Sequence, residues 1–454
     1  MVLSVKKNSD IRIQSVHYEF HKHLFRTPLK FGNTAINHLT VVHVNIRVEC
    51  HNGRSVEGFA SMPLSNIWCF PPRYVPPEKS LEAMKRLTAD VAAIVRNCDD
   101  WGDPLYLAHR LQPECMRRAS DLSRQMKLTR SIPKLCSLVV ISPFDAAIHD
   151  AFGKANGINS YNALGSDLIA RDLSHYLDKR FKGKYLNRYT LRHPKPTMPL
   201  YHLIGAADPL TDSDVKRRIN DGLPVTLTEW IKQDGLTHMK IKMNGDDLAW
   251  DIDRLLSIDR VVALTQKDLG VKKWIYSADF NERCKNVDYL LEFFGRIRER
   301  NPTALDRLQY VEQPTDRDLN AHPENKMHQA AGIKPVVIDE SLTDYQSLLM
   351  ARELGYSGVA LKTCKGQTEA LLMAAAALEF KMFITVQDLT CPGASFLHSV
   401  GLAARIPTVA AVEGNARQYC PSANEKWANK YPDLFTIKKG TIKTGSLTRP
   451  GLGH

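Results

Sequence analysis

No two cysteines in this chain are spaced C-x-x-C, and the nine present are scattered and odd in number. A disulfide framework is therefore not the organising feature, and reduced thiols in a cytoplasmic compartment are expected. Long apolar runs are missing too. The most apolar helical stretch, "EALLMAAAALEF", is framed by Glu369 and Glu379 and is too short to span a bilayer, so no membrane partner is expected. The opening "MVLSVKKNSDIRI" meets Lys6, Lys7 and Asp10 before any apolar core of signal-peptide length. Nucleic-acid signatures are also absent: no RRM-like, zinc-finger or helix-turn-helix pattern accompanies the net charge of +12. Basic runs such as "LDKRFKGK" are short, so the charge fits a small anionic substrate better than a nucleic acid.

What is present, over 454 residues, is a succession of textures. Residues 11 to 60 alternate apolar and polar and break at "HNGRS", which predicts an antiparallel meander turning at Asn52-Gly53. Helices follow. "EKSLEAMKRLTADVAAIVRN" places Leu81, Met84, Leu87, Val91 and Val95 on one face, and "SPFDAAIHDAFGKANG" is expected to start at a Ser142 cap with Pro143 in its first turn. Residues 1–164 thus form an α+β cap. Residues 165–197, basic, aromatic and punctuated by proline, read as an insertion or linker. From there eight apolar runs recur, from "LYHLI" to "TVAAVEGN", with room for a helix between successive runs. That layout predicts a (β/α)8 barrel over 198–414, with 415–454 returning to the cap.

Most of these runs end in charge, where barrel enzymes keep their chemistry. Lys240 and Lys242 close the second, Asp279 the third, Glu312 the fourth, Asp339 and Glu340 the fifth, Lys362 the sixth, and Gln387 and Asp388 the seventh. Carboxylates from three consecutive strands need a cation, and without Cys or His beside them a hard ion such as Mg²⁺ suits better than zinc. Lys240 and Lys242, two apart on one strand, share a face. Lys240 is expected to act mainly by perturbing Lys242, lowering its pKa toward that of a base. Strands two and six face each other across a barrel, so Lys362 would oppose them.

"HMKIKMN", "ADFNE", "VEQP", "IDES" and "ALKTCKG", in that order, resemble the enolase superfamily, and within it the muconate-lactonizing-enzyme branch. "TPLKFGNT" is similar to that family's cap loop and "RPGLG" to its C-terminal return. The resemblance implies metal ligands at Asp279, Glu312 and Asp339, polar support from Asn281 and Glu340, a base at Lys242, and an opposing acid or base at Lys362. It implies Mg²⁺, with Mn²⁺ as the alternative, and a reaction that starts by removing the proton α to a substrate carboxylate to give a metal-stabilised enediolate. The chain departs from the mandelate-racemase branch, which carries a strand-seven His. It also departs from the dipeptide epimerases, with Glu413-Gly414-Asn415 where those show Asp-x-Asp.

Lysines on both faces favour racemisation or epimerisation of an amino acid, dipeptide or N-acyl derivative. Acid-sugar dehydration or cycloisomerisation with one lysine as base is the alternative, and a non-catalytic binding protein with a degenerate barrel is the reading from another class. Arg26 and Lys30 are candidates for holding a distal carboxylate, balanced against solvated loop charges. Asp388, Glu413, Asn415 and Arg417 are candidate substrate contacts. His17, His21 and His23 alternate along a strand and read as strand residues rather than a metal cluster. Lys365 is expected to reach solvent. The partners expected are a small carboxylate substrate and further copies of the chain in a homo-oligomer.

Overall fold

The computed structural model describes residues 7–31 and 34–454. Gly32 and Asn33 of the "TPLKFGNT" motif lie outside the described residues, as do residues 1–6 with Lys6 of the N-terminal reading. Strands β1 (Ile11–Phe31), β2 (Thr34–Cys50) and β3 (Ser55–Pro63) form an antiparallel sheet. The β2–β3 turn falls at the anticipated Asn52-Gly53, where Gly53 adopts φ 76° at no steric cost. Pairing of β1 with β2 lapses between Leu24 and Leu29, across the Pro28 that has no N–H to donate, and resumes at Leu29–Ile36.

Three long helices follow: Pro77–Arg96, Pro104–Gln125 and Lys134–Ala155; the first and third pack on the sheet, and the second packs on those two. The second escaped the sequence reading, although Asp103 caps it by accepting from Tyr106 N and Pro104 opens it. The third corrects an expectation. It starts at Lys134, so Ser142 and Pro143 lie inside it. Pro143 cannot donate to the carbonyl of Val139, and the Ser142 hydroxyl donates there instead at 2.8 Å, so the helix runs on. At 22 residues this helix is long and apolar enough to cross a membrane, but 94% of its 18-residue apolar window is buried inside the fold.

The barrel is closed and parallel. Its strands are β4 (Thr197–Ile204), β5 (His238–Lys242), β6 (Ile275–Asp279), β7 (Leu308–Glu312), β8 (Val336–Ile338), β9 (Gly358–Leu361), β10 (Phe383–Val386) and β11 (Val412–Glu413). They pair in sequence order, and β11 returns to β4 through Val412–Leu200 and Glu413–Tyr201. Tyr201, Tyr310, Val337, Ala360 and Ala411 fill the barrel interior beneath the strand ends.

The segment 165–197 is a fixed strap rather than a loose linker. Phe181, Leu186 and Tyr189 are buried, the Tyr189 hydroxyl donates to Glu379 at 2.7 Å, and Tyr345 donates to Asp178 at 2.6 Å. It therefore lies on the outer barrel helices. The tail meets the cap twice. Ala416 and Cys420 pack against Leu39 and Val41, and after β12 (Thr441–Lys443) has run antiparallel to β4, Leu452 N donates to Asp150 Oδ1 at 2.9 Å.

One cap–barrel contact carries a pH prediction. Burial pushes the carboxyl of Glu369, beside Gln112 of the second cap helix, up from 4.5 to about 7. The folded protein then binds this proton more tightly than the unfolded chain, so stability falls as pH rises from 4.5 toward 7. Glu369→Gln is expected to raise stability by about 1–2 kcal/mol at pH 8 and to change little at pH 4. Denaturant melts at the two pH values measure this, and an equal effect at both would show that ionisation is not the cause.

Candidate active site

The three acidic strand ends lie side by side because the register brings them there. Lys242 pairs with Asp279 across β5–β6, and Asp279 with Glu312 across β6–β7. Asp339 follows β8 and Lys362 follows β9 directly. Beneath the β1–β2 hairpin these strand ends bound a cavity of about 380 Å³. Lys240, Lys242, Asp279, Asn281, Asp339, Lys362, Asp388, Glu413 and Asn415 all line it, and Lys30 stands on its cap side.

The remaining predicted residues sit elsewhere. Glu312 is fully buried below the floor. Glu340 points beneath the cap, accepting from Trp68 Nε1 at 2.9 Å and from Asn281 Nδ2 at 3.4 Å. Arg26 is turned away. It forms a two-pronged ion pair with Asp221 and donates to Leu223 O at 3.2 Å, so it ties the hairpin to the loop after β4 rather than facing the cavity. Arg417 is likewise engaged outside the cavity, pairing with Asp234 at 2.5 Å. His21 stacks on His43 along the sheet, and neither His21 nor His23 lines the cavity.

Lys240 differs from expectation. Its ammonium is buried and lies 3.1 Å from Asp279, 3.0 Å from Glu312 and 3.2 Å from Glu413. Burial opposes its charge, but these carboxylates overcome that and hold its pKa well above the ordinary range. It is thus a buried counter-ion to the acids and no longer a bare like charge beside Lys242. Lys242 Nζ lies 2.5 Å from the same oxygen, Asp279 Oδ2, and 2.8 Å from Asn281 Oδ1. One carboxylate between two ammoniums is what lets two lysines share a strand face.

Lys362 Nζ lies 3.1 Å from Asp339 Oδ2 and 3.4 Å from the carbonyl of Asp388. Burial would lower its pKa, but Asp339 raises it above the usual lysine value. Lys365 is buried rather than solvated: it donates to Asp339 Oδ1 at 3.1 Å and to that residue's own carbonyl. The turn after β9 directs it inward, because Lys362 and Lys365 close a single 3-10 turn. Burial and the neighbouring Asp279 and Asp339 push Glu312 up to about 8 despite Lys240. Burial and Asp339 push Glu340 up to about 7. Burial and Glu413 push Asp388 up to about 6, although both its oxygens accept backbone N–H groups, of Cys391 at 2.6 Å and Asn415 at 2.7 Å.

Several residues flanking the acids hold left-handed backbone although none is glycine: Asn281 (φ 44°), Glu282 (φ 63°), Gln313 (φ 32°) and Thr390 (φ 58°). Such strain persists only where surroundings over-determine it. Gln313 illustrates how: its amide donates to Ser341 Oγ at 2.8 Å and its oxygen accepts Asp339 N at 2.9 Å, locking the turn after β7 to that after β8. Gln313 and Trp68 were not singled out from the sequence. The adjoining "VEQP" motif was the available signal for the first, and no local signal existed for the second.

The donor set suits a hard divalent cation. Asp279, Glu312 and Asp339 offer only oxygen. Among the described residues, no three His, Cys, Asp or Glu side chains already converge as a metal cage, and lysine ammoniums contact the oxygens of Asp279 and Asp339.

The model of the family described as Enolase C-terminal domain-like matches residues 224–454, half of the chain. The chain belongs to the enolase superfamily. Solved structures of enolase-superfamily proteins align with it over nearly its whole length. The muconate lactonizing enzyme of Pseudomonas fluorescens is 16% identical, with a TM-score of 0.60, covering 97% of this chain and 96% of its own. The dipeptide epimerase of Enterococcus faecalis V583, complexed with Mg and L-Leu-L-Tyr, is 15% identical, with a TM-score of 0.62 and coverage of 97% and 99%. A racemase of Streptomyces coelicolor with bound magnesium is 15% identical, with a TM-score of 0.59 and coverage of 97% and 96%. At these identities the likeness speaks to the fold alone. No curated protein matches the chain. These enolase-superfamily relatives are enzymes, and two of the three hold magnesium.

Proposed function

We propose that this enolase-superfamily chain racemises or epimerises a small carboxylic acid by moving the proton α to its carboxylate. The observation that carries the reading is the placement of Lys242 and Lys362. They lie on β5 and just after β9, four strands apart in an eight-stranded barrel, and line one cavity with the acids between them. Asp279, Glu312 and Asp339 would hold Mg²⁺, which when bound would stabilise the negative charge developing on the substrate carboxylate. Lys242 Nζ, as the neutral amine, takes the α-proton from one face and becomes an ammonium. Lys362 Nζ, as the ammonium, delivers one to the other face and becomes the amine. The roles exchange for the opposite stereoisomer. Asn281 positions Lys242, while Lys240 neutralises the buried acids from below. Asp388, Glu413 and Asn415 border the substrate on the far side.

The cavity also bears on the choice of acid. Its cap wall carries an apolar patch, from Phe25, Leu29, Ile36, Leu39 and Leu81, joined by Leu203 of the barrel, with Lys30, Thr34, Asn37, His38 and Glu78 set around it. On the barrel wall, Glu413 and Asp388 already have both oxygens engaged. Each hydroxyl of a polyhydroxy acid that met the apolar patch would lose its water hydrogen bonds, a cost of about 1–3 kcal/mol for each stranded group. An N-acyl amino acid or dipeptide with an apolar side chain fits better, which disfavours acid-sugar dehydration. Close assembly of lysines and acids likewise weighs against the non-catalytic reading.

Incubation with Mg²⁺ in D₂O tests this. Apolar N-acyl amino acids and dipeptides are expected to take up α-deuterium, seen by mass spectrometry, and acid sugars are not. Exchange confined to acid sugars would replace the racemase reading with dehydration, and exchange with none of the acids would remove the proton-transfer reading altogether.

A further inference from the structure

The cap places one aromatic side chain among the candidate bases. Trp68 lies on the short turn Asn66–Cys69 that follows β3, and it is buried. Its own position is pinned. Asn66 Nδ2 donates to Pro77 O at 2.8 Å and to Ser80 Oγ at 2.9 Å, and the Trp68 carbonyl accepts from Arg317 at 3.0 Å. The indole ring faces Lys362 Nζ at 5.2 Å and Lys365 Nζ at 5.7 Å, within cation–π range. Its Nε1–H donates to Glu340 Oε1 at 2.9 Å. The same oxygen accepts from Asn281, whose own oxygen accepts from Lys242. One cap residue is thereby linked to Lys362 by its ring face and to Lys242 by two hydrogen-bonded side chains.

We propose that Trp68 is a positioning residue for Lys362, setting that ammonium beside the substrate through its ring face and making the second half of proton exchange depend on the seated cap. This rests on the proposed use of Lys242 and Lys362 as bases on opposite faces. The carboxylate of Asp339 and the carbonyl of Asp388 approach Lys362 from the barrel, so the indole is what constrains it from above. The hydrogen bond to Glu340 fixes the angle of the ring. The path to Lys242 runs through Glu340 and Asn281, and Lys242 keeps its direct contact with Asp279, so its dependence on Trp68 is weaker.

The test compares Trp68→Phe, which keeps a ring face, with Trp68→Leu, which does not. At saturating substrate, Trp68→Leu should slow exchange from the Lys362 face about tenfold, the scale of one cation–π contact, with KM and Lys242-face exchange within about threefold. Trp68→Phe should recover most of the lost rate. A second readout does not need turnover. In protein carrying ¹³C at lysine Cε, the Lys362 signal, assigned by its loss in Lys362→Ala, should be shifted upfield by the ring in wild type and Trp68→Phe, and should move to the ordinary position in Trp68→Leu. Equal slowing on both faces without recovery in Trp68→Phe, or an unshifted Lys362 signal in wild type, would overturn the proposal. If wild type exchanges no substrate while the lysine signal behaves as stated, the racemase reading fails and the placement of Lys362 by Trp68 stands.

Discussion

Asp279→Asn, Glu312→Gln and Asp339→Asn are each expected to lower turnover by about 10³-fold or more while leaving the protein folded. A bound divalent cation supplies several kcal/mol of transition-state charge stabilisation, and each 1.4 kcal/mol is a factor of ten. The amides keep size and one acceptor oxygen, so circular dichroism should match wild type. Mg²⁺ binding, read by isothermal titration calorimetry, should weaken strongly in all three. The acids also serve the lysines: Asp279 contacts both Lys240 and Lys242, and Asp339 contacts Lys362 and Lys365. Calorimetry therefore separates a lost ion site from displaced lysines. A variant that binds Mg²⁺ as wild type does and still turns over would remove its residue from the ligand set.

Lys242→Ala and Lys362→Ala should fail in opposite ways. In D₂O the first is expected to lose α-proton exchange for one stereoisomer and the second for the other, each by about 10²–10⁴-fold, the usual contribution of a general base. The reason is geometric: each lysine Nζ reaches the cavity from its own side of the barrel, and the amine that acts as base removes only the hydrogen it can touch. Both variants should retain Mg²⁺ binding. Loss of exchange for both stereoisomers in one variant and neither in the other would establish a single base. Cycloisomerisation or dehydration would then take the place of racemisation, leaving the second lysine an electrostatic role.

The barrel and its polar rim were legible in the sequence because strand periodicity and strand-end chemistry are local. "VVIDES" and "VALKTC" announce a buried strand followed by charge whatever surrounds them, and all eight runs became strands. Asp279, Glu312, Asp339, Lys242 and Lys362 could be named for the same reason. The start of the helix Lys134–Ala155 was misplaced because Ser142-Pro143 is a strong local start signal that tertiary burial overrode, with the serine hydroxyl meeting the carbonyl that proline left without a donor.

What the sequence by itself determined is which strand carries which charge, and hence the family and the class of chemistry open to it. Pairing across the chain was decided only by the tertiary structure. Arg26 carries no sign of Asp221, nearly two hundred residues away, nor Lys240 of Glu413, nor Trp68 of Glu340 and Lys362. Like-charged Lys240 and Lys242 looked in sequence like a perturbed pair. In the fold they are counter-ions sharing Asp279, because a buried charge is tolerable only beside its opposite, and which opposite is near depends on the closed barrel rather than on sequence neighbours.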